Sequence, residues 1–74
     1  MDALITPVIA SLREHHPKSK SDEIERAFSV AEIAHAGQMR MSGDKYITHP
    51  VAVAQILADL GLNSETIIAA LLHD

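Results

Sequence analysis

Cysteine is absent from the sequence. A disulfide framework and a thiolate metal site are thereby excluded, and any bound metal has to use nitrogen and oxygen donors. Tryptophan is also absent, and phenylalanine and tyrosine occur once each among 74 residues. The core must therefore be aliphatic and alanine-rich, which favours close-packed helices. Positive charge is scarce as well: six Lys and Arg stand against ten Asp and Glu, for a net charge of -4. That balance argues against broad, charge-driven binding to DNA or to an anionic membrane, but leaves room for one small anionic ligand. No apolar run approaches the roughly 18 residues of a membrane-spanning helix, and Met1-Asp2 lacks the basic start of a secretory signal. The expected location is the cytoplasm. What the chain does have is apolar residues, 47% of the total, far from the composition of a disordered segment. A chain of this length can hold one compact unit, with a core near the lower limit of self-sufficiency.

Taken in order, Leu4, Ile5, Val8, Ile9 and Leu12 recur at helical spacing within a segment from Asp2 to His15, and Thr6-Pro7 has the form of an N-cap followed by a first-turn proline. The polar connector from His15 to Ser21 follows. Its adjacent His15 and His16 form a candidate metal pair, but in a solvated loop before a proline they are better read as surface residues. Asp22 and Glu25 match a capping box for a helix whose stripe is Ile24, Ala27, Phe28, Ala31, Ala34 and His35, closed by Gly37. His35 is expected to be a satisfied, partly buried histidine near the end of that stripe.

Periodicity stops between Gln38 and Thr48, where Ser42-Gly43-Asp44 marks a turn. Arg40 and Lys45 are the only Lys or Arg after Arg26, which makes this loop a candidate anion site, although exposed loop cations are commonly just solvated. His49-Pro50 opens the next helix, with a predicted stripe of Val53, Ile56, Leu57 and Leu60 and a stop at Gly61. Asn63 or Ser64 caps the last helix, with Glu65 in its first turn. The run from Ile67 to Leu72 is apolar on every side and so reads as a buried helix, ending in His73-Asp74. A carboxylate at such a place is costly unless paired or bound to a metal. An apolar helix running to the last residue predicts that this is the front of a longer chain.

The segments Ala34-His35-Ala36-Gly37-Gln38-Met39-Arg40, Ser42-Gly43-Asp44-Lys45-Tyr46-Ile47-Thr48-His49-Pro50, Val53-Ala54, Ile56-Leu57-Ala58 and Ala69-Ala70-Leu71-Leu72-His73-Asp74 together resemble the N-terminal hydrolase domain of the RelA/SpoT homologues. These are stringent-response enzymes that make and degrade guanosine tetra- and pentaphosphate. The likeness runs from about Ile24 to the last residue, and the order and spacing of several motifs is far more specific than a lone His-Asp pair.

The resemblance implies an all-α fold of about four helices forming the front part of an HD-domain bundle. Residues 1–74 would be one partial domain, with 1–21 a leading helix and connector and 22–74 the motif-bearing helices. It implies a divalent metal, typically Mn2+, held by His49, His73 and Asp74 plus a further Asp downstream. Imidazole and carboxylate suit such an ion, which polarises a phosphoryl oxygen and makes bound water nucleophilic near neutral pH. The implied reaction removes the 3'-pyrophosphate of the alarmone and leaves GDP or GTP, in a parent that is in some relatives also a GTP pyrophosphokinase. Arg40, Met41 and Ser42 correspond to nucleotide-pocket positions, with the planar Arg40 guanidinium stacking on guanine.

Met41 departs from the basic residue that hydrolase-competent relatives carry, which weakens affinity for a polyanion or offers a soft surface to the base. The family's catalytic acid pair and last metal ligand fall beyond Asp74, so no catalytic residue is assigned and this span alone is expected to be inactive. The alternatives are an HD phosphohydrolase for another nucleotide, or an inactive helical unit that serves packing or dimerisation. An apolar helix left open predicts a homo-oligomer of the fragment.

Overall fold

The computed structural model describes residues 3–39, 43 and 45–73. Among these the chain forms four helices, α1 (Thr6–His15), α2 (Asp22–Ala34), α3 (Thr48–Asp59) and α4 (Ser64–Leu72). The one β feature among the described residues is an isolated antiparallel bridge between Met39 and Lys45. The all-α expectation is met.

α3 packs against both α1 and α4, and α4 also packs against α2. The core is accordingly strung along the α3–α4 pair. Its largest fully buried side chains are Ile5, Val8 and Leu12 from α1 and the turn before it, Ile24 from α2, and Ile67 and Leu71 from α4. Full burial of each such aliphatic side chain is worth roughly 2 kcal/mol. Ala54 and Ala58, both fully buried, are the α3 residues at the centre; with only a methyl group to accommodate, the neighbouring helices can approach closely.

Several local features differ from the sequence pattern. Thr6 is not the N-cap of α1: Ile5 takes that position, and Thr6 and Pro7 lie within the first turn, where the proline's missing N–H and fixed φ are harmless. Ser21 precedes α2 without a side-chain capping bond, so the capping box at Asp22 does not form; Asp22, Glu23 and Glu25 instead place acidic charge in the first turn, where the helix dipole favours it. α2 ends at Ala34 with His35 as C-cap, and Gly37 follows at φ 81.

The largest difference is the phase of α3. Its buried residues are Pro50, Val51, Ala54 and Ala58, whereas Ile56 and Leu60 from the predicted stripe are 60% and 71% exposed. Because α3 is apolar nearly all round, periodicity cannot choose a face; the small alanines decide it by allowing α1 and α4 to close in. α4 likewise buries one face, through Ile67 and Leu71, and leaves Leu72 exposed, so the helix is not enclosed on every side.

The helix ends are otherwise well specified. Asn63 caps α4, its Oδ1 accepting from Thr66 N at 3.0 Å and from Thr66 Oγ1 at 3.0 Å. At the end of α3, Gly61 N donates to Ala58 O at 3.0 Å and Leu62 N to Leu57 O at 3.1 Å. This is a Schellman arrangement around Gly61 at φ 87, a backbone region that suits glycine. The Gly61 carbonyl then accepts from His16 Nε2 at 2.9 Å, which places the proton on that nitrogen, since a carbonyl only accepts. His15 lies against Gly61 as well. The connector histidines therefore join the end of α1 to the end of α3.

Candidate metal centre

His49 lies in the first turn of α3, two residues past the N-cap Ile47 rather than at or next to a cap. The turn that leads into it is held by Thr48 Oγ1 donating to Lys45 O at 2.7 Å and by His49 N donating to Tyr46 O at 3.0 Å. Pro50 follows, buried. His73 sits at the opposite kind of position, as the C-cap of α4 with extended backbone at φ -71, ψ 132. Both imidazoles are exposed.

Packing of α3 against α4 brings these two histidines into the wall of one cavity of about 460 Å3. The rest of its lining is Tyr46, Pro50, Val53, Leu57, Thr66, Ala69 and Ala70. The cavity is mostly apolar with a few polar groups converging on it, the usual character of a small-molecule site. Among the described residues no three His, Cys, Asp or Glu side chains form a group that could hold a metal ion. Asp74, the third expected ligand, lies outside the described residues, as do Arg40, Met41 and Ser42 of the expected nucleotide pocket. Two accessible imidazoles sharing one cavity fit a divalent cation of borderline character in donor type.

His35 and Lys45, by contrast, line a second cavity of about 270 Å3 with Glu32, Gly37 and Met39. Lys45 is not among the residues that line the cavity of the histidine pair. Beside this cavity Met39 and Lys45 form their bridge, and Tyr46 N donates to Gln38 O at 3.0 Å.

Tyr46 is the residue that sequence reasoning passed over. Its ring lies 4.5 Å from that of His35 and 6.3 Å from that of His49, and it lines the cavity. Its place in an aperiodic stretch hid it; the one available clue was that the sole tyrosine stands three residues before His49.

α3 packs against α4, and a histidine at the start of the one and a histidine at the end of the other line one cavity; residues 27–74 match the HD domain family. The chain belongs to that family. It is 52% identical over 71 residues to the bifunctional (p)ppGpp synthase/hydrolase RelA of Mycobacterium tuberculosis, covering 96% of this chain and 10% of the relative. It is 51% identical over 63 residues to the bifunctional (p)ppGpp synthase/hydrolase SpoT of Escherichia coli, covering 85% of this chain and 9% of the relative. The GTP pyrophosphokinase of Streptomyces coelicolor is 49% identical over 74 residues, with 96% of this chain and 9% of the relative covered. The chain therefore spans about a tenth of the length of the curated relatives it matches. No solved structure matches it. No described helix is long and apolar enough to cross a membrane.

Proposed function

We propose that this chain supplies part of the metal and nucleotide site of a guanosine tetra- and pentaphosphate 3'-pyrophosphohydrolase acting in the cytoplasm. The observation that carries this proposal is the presence of His49 and His73 in the wall of one cavity. Similarity to relatives such as the bifunctional (p)ppGpp synthase/hydrolase SpoT of Escherichia coli supports the choice of substrate. His49, His73 and Asp74 would hold a divalent cation, Mn2+ by family resemblance. When bound, such an ion supplies positive charge to a phosphoryl oxygen and lowers the pKa of water. The chain's own contribution is positional. His49 and His73 would each offer an imidazole nitrogen to the ion, Val53, Leu57 and Ala70 keep one side of the cavity apolar, and Arg40, with Met41 and Ser42 next in sequence, takes the guanine face.

Two experiments test this. Addition of Mn2+ alone to the 74-residue chain is expected to broaden the imidazole resonances of His49 and His73 before those of His15 and His16. Substituting the chain for its counterpart in the Mycobacterium tuberculosis RelA protein is expected to preserve pyrophosphate release from guanosine tetraphosphate, and His73→Ala in that chimera to abolish it. Undiminished release in the His73→Ala chimera would defeat the proposal.

The non-enzymatic alternative, a helical packing or dimerisation unit, draws on the exposed Ile56 and Leu60 of α3. It predicts concentration-dependent association of the chain by light scattering together with no effect of Mn2+ on His49 or His73.

A further inference from the structure

Three rings run in series from the end of α2 to the start of α3. His35 is the C-cap of α2 and half-buried. Its Nδ1 donates to Gln38 Oε1 at 3.1 Å, which fixes the tautomer and the direction of the ring. Tyr46 lies over it at a centroid distance of 4.5 Å and an interplanar angle of 34°. Tyr46 also meets His49 at 6.3 Å and 64°, an edge-on approach. Both distances lie within the range in which aromatic rings attract one another through their quadrupoles.

The backbone reinforces the series. Gln38, whose side chain holds His35, also accepts from Tyr46 N through its carbonyl at 3.0 Å. One residue thus fixes the ring at the end of α2 and the residue that covers it. Beyond Tyr46, the turn bond from His49 N to Tyr46 O at 3.0 Å ties the third ring to the second.

An imidazole on an exposed first turn has free choice of rotamer unless something restricts it. Tyr46 is the ring that restricts His49, and His35 is the ring that restricts Tyr46. We infer that His35 is a positioning residue, which acts through Tyr46 to hold the His49 imidazole toward the cavity it shares with His73. This rests on the proposed role of His49 as a metal ligand. Groups that orient a ligand without touching the ion change metal affinity by roughly ten- to a hundred-fold.

The test uses the 74-residue chain with its imidazole resonances assigned. His35→Ala is expected to shift and broaden the ring signals of His49 and to remove most of the near-ultraviolet ellipticity of tyrosine, with helix content unchanged. That ellipticity reports on Tyr46 alone, because the chain has one tyrosine and no tryptophan. His35→Phe restores a flat ring and is expected to recover both signals. With Mn2+ as the probe, the concentration that broadens His49 should rise about tenfold in His35→Ala and return toward the wild-type value in His35→Phe. Wild-type ring signals and ellipticity in folded His35→Ala would overturn the inference, whatever the ion does. If wild-type His49 and His73 ignore Mn2+, the metal role fails, and the ring signals and ellipticity alone decide the positioning role. Should His35→Ala lose helix, His35→Gln, polar but without a ring, takes its place with the same two outcomes.

Discussion

Ser11 Oγ donates to Asp59 Oδ1 over 2.6 Å, joining the middle of α1 to the last residue of α3. Gln55 Nε2 donates to the same carboxylate oxygen at 2.9 Å and to Ser11 Oγ at 3.0 Å. The Ser11 bond first and then the Gln55 bond hold the Asp59 carboxyl below its ordinary value of 3.8, against an opposing effect of desolvation and with a lesser contribution from the nearby His15. A depressed carboxyl stabilises the fold above its unfolded value and loses that contribution as pH falls through the folded one. Asp59→Asn keeps an oxygen acceptor but cannot titrate. The stability gap between wild type and Asp59→Asn, measured by urea midpoints, should be full at neutral pH and shrink below about pH 4. A gap that widens toward acid would contradict the assignment.

Gly61→Ala combines two penalties. The residue sits at φ 87, and an added Cβ would lie 3.0 Å from His15 Cδ2. The expected loss is about 1–2 kcal/mol, and His15→Ala in the same background should recover only the part due to crowding. Equal stability of Gly61→Ala and wild type in chemical denaturation would refute this account of the turn.

The phase of α3 makes a paired prediction. Ala58 is fully buried and Ile56 is 60% exposed, so Ala58→Leu should cost about 2 kcal/mol while Ile56→Gln stays within roughly 0.5 kcal/mol of wild type. The reverse order of costs would mean that the helix is rotated from the position described.

Asn63→Ala removes both bonds to Thr66 and should destabilise the protein by about 1 kcal/mol, a fall in Tm of roughly 4–8 °C for a domain of this size. Asn63→Asp should retain most of that stability. A melting temperature that ignores the alanine substitution would show that the cap contributes nothing.

How far the sequence could be read depends on which physical constraint acted where. α1 and α2 were legible because apolar residues recur at helical spacing along one face, so Val8, Leu12, Ile24 and Phe28 are buried as their spacing requires, although Val30 and Ile33 of α2 are exposed and the predicted stripe stops at Ala31, with Ala34 exposed. Asn63 and Gly61 were legible because capping chemistry is local. The face of α3 was not, since Val53, Ile56 and Leu60 are as apolar as the residues that are buried, and the choice rests on how closely α1 and α4 can approach Ala54 and Ala58. The meeting of His49 and His73 was visible only through the family likeness, being a product of how α3 lies on α4. Tyr46 escaped notice because ring contacts across a loop neck leave no period in the sequence.

The order in which the helices pack has one more consequence. α1 is held chiefly by α3 and α2 chiefly by α4, so the outer two can fray by local opening at less than the free energy of global unfolding. The inner two, which carry His49 and lead to His73, should then be the last to exchange their amide hydrogens, so that the wall between them outlasts fluctuations that expose either edge of the molecule.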